Sequence, residues 1–240
     1  MTGSPSFREW EPIYEAILAD LGFDRAADET ARDVAAEIAQ PFDRGQLARL
    51  DGATVAVVGA APSLSTELTA FDPASVDAVV AASTAVDVLA DHGIGVDLMV
   101  TDLDKNVETA RELTHGGTPV AAHAHGDNIP TLREWLPRFD PGSTLVTTQA
   151  EPRGPVANFG GFSDGDRAAF IADAFGAAEF RFVGWAFDDP SVDPLKARKL
   201  RWAEQLLYWL ERRRDERFSV LDGRRESLAE EPSAFSTGEK

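Results

Sequence analysis

The sequence has no cysteine among its 240 residues, and only four of its 23 cationic side chains are lysines. The absence of cysteine excludes disulfide bonds, metal sites built on thiolates and a cysteine nucleophile. Any metal that the protein binds must therefore take oxygen or nitrogen ligands.

Long apolar runs are also absent. No stretch of the sequence approaches the roughly 20 apolar residues that cross a bilayer. The first twelve residues, MTGSPSFREWEP, lack the charged and apolar regions of a signal peptide. We therefore expect a cytoplasmic protein.

Positive charge is scarce relative to negative charge. The chain carries 41 Asp and Glu against 23 Lys and Arg, a formal net charge of −18 at pH 7. Such a surface repels nucleic acid phosphates, so nucleic acid is not an expected partner. An acidic, lysine-poor chain with 43% hydrophobic residues indicates a halophile, in which salt screens the self-repulsion. A protein that is simply acidic is the alternative.

Six short runs rich in Val or Ala predict the strands of a buried parallel sheet. They cover residues 54–58, 78–82, 98–100, 119–122, 144–147 and 180–183. Helical patterns lie between several of them, at residues 84–92, 106–113, 131–139 and 165–175. This alternation predicts a doubly wound, Rossmann-like α/β domain with a mostly parallel sheet over residues 51–215.

The two ends of the chain differ from this domain. Residues 1–50 place apolar side chains at helical spacing, which predicts a helical segment packed on the core. A long final helix is expected over Pro194–Arg214. Residues 216–240 are polar and short of core residues, so we expect a flexible tail there.

Ligands of open α/β sheets bind beyond the carboxyl ends of the strands, so the residues after each run are the site candidates. The first such turn contains Gly59, Ala60, Pro62 and Ser63. Its small residues would let backbone N–H groups approach a phosphate. It lacks the other glycines of a dinucleotide fingerprint and the Gly-Lys pair of a P-loop. Taken alone, the segment is explained better by an ordinary tight turn between a strand and a helix.

Two aspartates follow the third strand. If the strand continues, Asp102 and Asp104 project to the same side because side chains alternate along a strand. Two carboxylates at the edge of a sheet suit Mg²⁺, which adds water and phosphate oxygens as further ligands. Capping of the next helix would explain one aspartate, but it explains both poorly.

A histidine pair follows the fourth strand, in a chain with four histidines. Alternation would aim His123 and His125 the same way, with Asp127 close behind. The pair could bind zinc and form a hydrolytic metal centre with the aspartates. It could equally orient phosphates or a heteroaromatic ring, and two satisfied loop histidines are the structural alternative.

A fourth segment, residues 160–168, reads as the capped start of a helix. Ser163 and Asp164 precede a helical pattern, and Arg167 lies in its first turn. An arginine near a helix N-terminus is a good phosphate clamp. A plain capping motif accounts for the same residues when the segment is taken alone.

These four segments, in this order and at these spacings, resemble the archaeal-type 6-hydroxymethyl-7,8-dihydropterin pyrophosphokinase family. The resemblance covers most of residues 10–215, and its more specific parts are Asp-Leu-Asp at 102–104 and His-Ala-His-Gly-Asp-Asn at 123–128. It implies a domain similar to the catalytic domain of thiamine pyrophosphokinases. Together with the charge, it indicates a haloarchaeal-type member.

The resemblance implies transfer of pyrophosphate from ATP to the pterin, with Mg²⁺ as cofactor, in folate or methanopterin biosynthesis. Asp102 and Asp104 would hold the metal, with Asp127 as a third ligand or as the acceptor of the hydroxyl proton. His123 and His125 would orient phosphate or assist proton transfer.

The remaining implied roles concern the two substrates. Asn128 would recognise the amide edge of the pterin. Nucleotide phosphates would contact a set of residues drawn from two of the segments: Gly59, Ala60, Pro62, Ser63, Asp164 and Arg167. The expected partners are therefore small molecules, and a homodimer is compatible with the sequence.

Two positions depart from the family pattern, and two other functions stay open. Ser83-Thr84 stands where members carry Asp-Gly, and Lys105 stands where they carry Gly after the second aspartate. A metal-dependent phosphohydrolase would use the same Asp and His cluster but release ADP or phosphate without an acceptor. A non-catalytic nucleotide-binding module would keep its affinity after both aspartates are replaced by alanine.

Overall fold

The computed structural model describes residues 4–230. Over this range the helices are α1 (Phe7–Leu21), α2 (Arg25–Ile38), α3 (Leu64–Leu68), α4 (Ala85–Asp91), α5 (Val107–His115), α6 (Ile129–Trp135), α7 (Asp164–Ala174), α8 (Pro194–Arg214) and α9 (Arg225–Glu230). The strands are β1 (Thr54–Val58), β2 (Ala78–Ala82), β3 (Leu98–Thr101), β4 (Val120–Ala124), β5 (Thr144–Thr148) and β6 (Glu179–Val183). Within these residues no helix is both long and apolar enough to cross a membrane.

The six strands form one parallel sheet in the order β5-β4-β3-β2-β1-β6. The chain builds the sheet outward from β1 to β5 and then returns to place β6 on the other side of β1. All six predicted strands are confirmed, with small shifts at their ends. The predicted α/β class and doubly wound parallel arrangement are confirmed as well.

Alternation along each strand divides the core between the two faces of the sheet. Val55 and Val57 of β1 contact the core that contains α1, α7 and α8. Ala56 and Val58 contact the second core, which contains α3, α4, α5 and α6. Both faces of the sheet are therefore covered, as parallel sheets require.

The first two helices pack on different faces. Trp10 and Ile17 of α1 are fully buried in the first core, whereas Ala31 and Ala35 of α2 lie in the second. The short connection between these helices lines the same cavity as the residues that follow β4. There a Cβ added to Gly126 would come within 2.6 Å of the Ala27 Cβ, so only glycine admits this approach of α2.

Residues 216–230 correct the expectation of a flexible tail. Phe218 and Leu221 are buried in the first core. Arg225 forms a 2.7 Å ion pair with the buried Glu211 of α8, and Arg224 pairs with the buried Glu204. The two arginines form ion pairs with carboxylates of α8. Polar composition alone therefore predicted flexibility wrongly for this segment. The rest of the predicted tail, residues 231–240, lies outside the described residues.

Candidate functional site

A cavity of about 220 Å³ lies at the carboxyl ends of the central strands. Asp102, His123 and Gln149, which follow or end β3, β4 and β5, line it from the sheet. The connection between α1 and α2 lines one side, and the start of α7 contributes Arg167. This is the edge at which open α/β sheets bind ligands.

The two aspartates after β3 are paired by a turn. The strand ends at Thr101, whose Oγ1 accepts a 3.0 Å hydrogen bond from the N–H of Leu103. Leu103 is buried and has a φ of 66°, so the expected continuation of the strand is wrong. The backbone N–H of Asp104 donates to Oδ1 of Asp102 at 3.3 Å. This turn buries the leucine and leaves Asp104 exposed and Asp102 half-buried.

The two carboxyl groups influence each other's protonation. The hydrogen bond and negative charge of Asp102, together with partial burial, raise the pKa of Asp104 to about 6. Burial alone would raise the pKa of Asp102, but its hydrogen bonds with Asp104 and the positive charge of Arg167 lower it. The pair therefore shares negative charge at close range, an arrangement that a divalent cation would relieve.

The two histidines are brought together as predicted by alternation along β4. Their rings stack with centroids 6.3 Å apart. His123 is buried, and its Nδ1 lies 3.0 Å from Oγ1 of Thr147 on β5. Burial lowers the pKa of both imidazoles, which favours their neutral forms. The Nε2 atoms of both are buried and make no hydrogen bond to the described residues.

Asn128 connects the ends of β3 and β4. Its Nδ2 donates to the backbone carbonyls of Asp102 at 2.6 Å and His123 at 2.7 Å, and its Oδ1 accepts from the N–H of His125 at 3.1 Å. Both amide hydrogens are therefore used within the protein. This corrects the expected recognition of the pterin by Asn128, because no donor is left for a substrate.

Asp127 lines the same cavity but is exposed. In residues 4–230, no group of three His, Asp or Glu side chains is close enough to hold a metal ion. The expected ligand set of Asp102, Asp104 and Asp127 is therefore not assembled by the protein alone. A metal held by the first two aspartates would need other oxygens to complete its coordination.

Arg167 is 3% exposed and is held from two sides. Its Nη1 donates to Asp164 at 3.0 Å and its Nη2 donates to the carbonyl of Phe162 at 2.6 Å. The buried Nε makes no hydrogen bond within the described chain. Burial and the negative charge of Asp102 raise the pKa of Asp164, which Arg167 partly offsets. Ser163 caps α7 through a capping box with Asp166, so the whole helix start is fixed.

The turn after β1 does not line the cavity, although the Trp185 ring packs against both Gly59 of this turn and Gly165 at the start of α7. The N–H of Gly59 donates to Val183 at 2.9 Å, and Oγ of Ser63 donates to Glu67 at 2.6 Å. A Cβ at Gly59 would come within 2.5 Å of the carbonyl oxygen of Gly184, so packing against the end of β6 requires this glycine. These contacts account for Gly59 by packing and for Ser63 by its hydrogen bond to Glu67, and the nucleotide-binding role of the turn, including Ala60 and Pro62, stays a prediction.

The two departures from the family pattern lie together in space. Oγ of Ser83 donates to the backbone carbonyl of Lys105 at 3.3 Å, and Thr101 donates to Ser83 at 3.4 Å. The side chain of Lys105 lies near enough to Asp104 for its charge to lower the pKa of that carboxyl. The turns after β2 and β3 are therefore one structural unit beside the carboxylates.

The sequence interpretation missed Asp28, Phe23 and Lys199, which all line the cavity. Asp28 is buried and accepts from Tyr14 at 2.7 Å, from Gln149 at 2.7 Å and from the N–H of Gly126 at 2.8 Å. Contacts of this kind join distant segments, so sequence spacing carries no sign of them. The scarcity of lysine was a usable signal, because three of the four lysines, Lys105, Lys196 and Lys199, lie near the acidic side chains.

Comparisons with known proteins find one family. The family model described as 6-hydroxymethylpterin diphosphokinase MptE-like matches residues 30–191. Two relatives named 6-hydroxymethyl-7,8-dihydropterin pyrophosphokinase are each 36% identical to the chain. The one from Methanothermobacter thermautotrophicus aligns over 228 residues, 87% of this chain and 96% of the relative. The one from Pyrococcus furiosus aligns over 221 residues, 85% of this chain and 94% of the relative.

A third relative with the same name, from Methanocaldococcus jannaschii, is 28% identical over 228 residues. That alignment covers 85% of this chain and 95% of the relative. All three alignments are longer than the predicted α/β domain of residues 51–215. The similarity therefore reaches beyond that domain.

Proposed function

The chain belongs to the 6-hydroxymethylpterin diphosphokinase MptE-like family, and from this premise we propose that it transfers pyrophosphate from ATP to 6-hydroxymethyl-7,8-dihydropterin. The products are AMP and the pterin diphosphate. The observation that carries the proposal is the convergence of Asp102, His123, His125 and Arg167 on one cavity at the carboxyl edge of the sheet.

In this reaction the hydroxymethyl oxygen of the pterin attacks the β-phosphorus of ATP. The bond between that phosphorus and the oxygen bridging to the α-phosphorus breaks, and AMP leaves with the bridging oxygen. The hydroxyl proton passes to a base. Such a transfer depends mainly on alignment and on neutralising the charge of the phosphate oxygens.

Asp102 and Asp104 fit a Mg²⁺ ion. They are carboxylates held side by side, and the hydrogen bond with Asp102, partial burial and the negative charge of Asp102 raise the pKa of Asp104. Mg²⁺ is commonly bound through one or two carboxylates, with water and substrate phosphates as its other ligands. When bound, it would supply positive charge to the phosphate oxygens, and Asp127, which lines the same cavity, would act as the proton acceptor.

Three buried nitrogen atoms support phosphate binding. They are Nε2 of His123, Nε2 of His125 and Nε of Arg167, and none has a hydrogen-bond partner within residues 4–230. Buried polar groups without a partner are rare and costly, so a ligand is expected to supply one. Asp164 keeps Arg167 in position, and Asn128 keeps the two strand ends in register; we propose both as positioning residues.

The purified protein tests this function when it is incubated with ATP, Mg²⁺ and the pterin. We expect AMP and pterin diphosphate in equal amounts, with no nucleotide turnover when the pterin is omitted. Release of ADP or free phosphate without the acceptor would support a phosphohydrolase instead. Nucleotide binding that survives Asp102→Ala and Asp104→Ala without any turnover would support a non-catalytic module.

The setting of this activity is also a proposal. We propose that the protein works in a salt-rich cytoplasm on two small molecules, in folate or methanopterin biosynthesis, without nucleic acid. The net charge of −18 supports the salt and nucleic acid parts of this proposal. If the stability of the protein falls as KCl is raised from about 0.1 M to about 2 M, the proposal of a salt-rich cytoplasm is contradicted.

A further inference from the structure

We infer that Phe23, in the connection between α1 and α2, and Phe162, before α7, form the subsite that binds the pterin ring. This inference rests on the proposed function, because it assigns a place to the acceptor of the same reaction. It puts part of acceptor recognition in the N-terminal helices and the α7 start, outside the turns that follow β1 to β4.

The two phenyl rings form an aromatic wall of the cavity. Their centroids are 6.3 Å apart, with an angle of 19° between the ring planes. Both residues line the cavity, together with Lys199, whose Nζ lies 5.4 Å from the centroid of Phe23. Flat, nearly parallel rings favour a flat ligand, since offset stacking is a preferred arrangement of aromatic groups.

Local structure holds the backbone of both residues in place. Gly22 ends α1 with a φ of 74°, and the N–H groups of Gly22 and Phe23 both donate to the carbonyl of Leu18, at 2.8 Å and 3.0 Å. Asp24 then caps α2 by accepting from Ala26. Phe23 is therefore fixed between two helix ends. The backbone of Phe162 is fixed in the same way, because its N–H donates to Asp166 at 2.6 Å.

The aromatic wall adjoins the nitrogen atoms that have no partner. The carbonyl of Phe162 accepts the 2.6 Å hydrogen bond from Arg167, whose Nε is one of those atoms. The Nε2 atoms of His123 and His125 belong to residues that line the same cavity. A ring stacked on this wall would therefore lie next to the groups that we assign to phosphate.

This adjacency favours the pterin over the adenine of ATP. In the acceptor, only one methylene group and the attacking oxygen separate the ring from the phosphorus under attack. In ATP, a ribose and the α-phosphate separate adenine from the β-phosphorus. A cavity of about 220 Å³ is also smaller than those that enclose drug-sized ligands. It therefore suits the short acceptor, while the rest of ATP extends outside.

The test compares Phe23→Leu and Phe23→Trp with the unchanged protein in steady-state kinetics. Leucine keeps an apolar side chain for packing but removes the aromatic face, whereas tryptophan restores it. We expect Phe23→Leu to raise the KM for the pterin about tenfold, the size of one lost aromatic stack. The KM for ATP should stay within about twofold, and Phe23→Trp should restore the KM for the pterin.

Binding of the fluorescent oxidised analogue 6-hydroxymethylpterin, followed by quenching, supplies a measurement that needs no turnover. Phe42→Leu is the matched control, because Phe42 is a partly buried phenylalanine of the same core that does not line the cavity. We expect the analogue to bind about tenfold more weakly to Phe23→Leu and unchanged to Phe42→Leu.

Three results are decisive. A rise in the KM for ATP alone would place adenine on the wall and overturn the inference. So would unchanged pterin binding and unchanged KM values in Phe23→Leu. If the unchanged protein forms no AMP with the pterin, the proposed function fails, and the binding measurements still decide whether the wall holds a pterin ring.

Discussion

The side-chain amide of Asn128 donates a 2.6 Å hydrogen bond to the backbone carbonyl of Asp102. A second hydrogen bond from the same nitrogen holds the carbonyl of His123 at 2.7 Å. One buried side chain thus sets the separation between the strand ends that carry the carboxylates and the imidazoles.

Replacing Asn128 with alanine should therefore weaken both the fold and the activity. The two backbone carbonyls would lose their buried partner. Each loss lowers the free energy of unfolding by about 1–3 kcal/mol. We expect kcat to fall more than stability alone explains, since Asp102 and His123 lose their relative position. Urea unfolding and steady-state kinetics measure the two effects.

Asn158→Ala is the matched control for this prediction. Asn158 also donates to two backbone carbonyls, those of Gln149 at 3.0 Å and Ala150 at 2.8 Å. It follows β5, and the carbonyls that it holds belong to neither Asp102 nor His123. Equal losses of kcat in the two variants would contradict the positioning role of Asn128.

Asp104 should make stability depend on pH in the absence of metal. Because its pKa in the fold is about 6, above the value of about 3.9 in an unfolded chain, the folded protein binds the proton more tightly. This contribution is present below about pH 4 and is lost as pH rises through 6. Asp104→Asn removes this titration. The free energy of unfolding of the variant should therefore rise relative to that of the unchanged protein between pH 4 and pH 7.

Mg²⁺ should reverse this loss by binding to the ionised pair. In thermal melts at pH 7.5, we expect MgCl₂ to raise the midpoint of the unchanged protein and EDTA to lower it again. The midpoint of Asp104→Asn should respond much less. Identical Mg²⁺ responses of the two proteins would remove Asp104 from the metal site.

Arg167→Lys should lose activity although the charge is kept. Lysine has no equivalent of the Nε atom and cannot hold Asp164 and the carbonyl of Phe162 at the same time. We expect kcat/KM to fall about 100-fold, as for the loss of one charge-stabilising donor. Arg214→Lys, which changes a partly buried arginine paired with the buried Asp173, should reduce stability but leave kcat/KM within about threefold.

Lys199 should contribute to ATP binding more than its neighbour Lys196. Both lie in the first turns of α8, but only Lys199 lines the cavity. Loss of a charged hydrogen bond to a phosphate costs about 1.5–3 kcal/mol, so Lys199→Ala should raise the KM for ATP at least about tenfold. Lys196→Ala should raise it by less than about threefold, and the reverse order would exclude the assigned role of Lys199.

The fold was accessible from the sequence because short apolar runs and helical patterns depend on local periodicity. The strand of residues 54–58 and the final helix, Pro194–Arg214, were predicted with the bounds that the structure shows. The packing of Phe218 and Leu221 was missed because it depends on buried carboxylates of α8, which polarity alone does not reveal.

The site could be predicted from the sequence only in part, because local periodicity does not reveal turns or contacts between distant segments. Alternation along β4 correctly placed His123 and His125 on one side. The pairing of Asp102 with Asp104 was correct, but it arises from a turn with a left-handed Leu103 and not from a continued strand. The packing of Gly59 against Gly184 was not accessible, because a small residue needed for packing looks the same in sequence as one needed for phosphate.

The proposed transfer of pyrophosphate is tested most directly by following the β-phosphorus of ATP. The protein is incubated with the pterin, Mg²⁺ and ATP labelled at the β-position, and the products are separated. We expect the label in the pterin diphosphate, unlabelled AMP, and no transfer by Asp102→Asn. Label recovered in ADP, or pterin diphosphate formed at an unchanged rate by Asp102→Asn, would contradict this expectation.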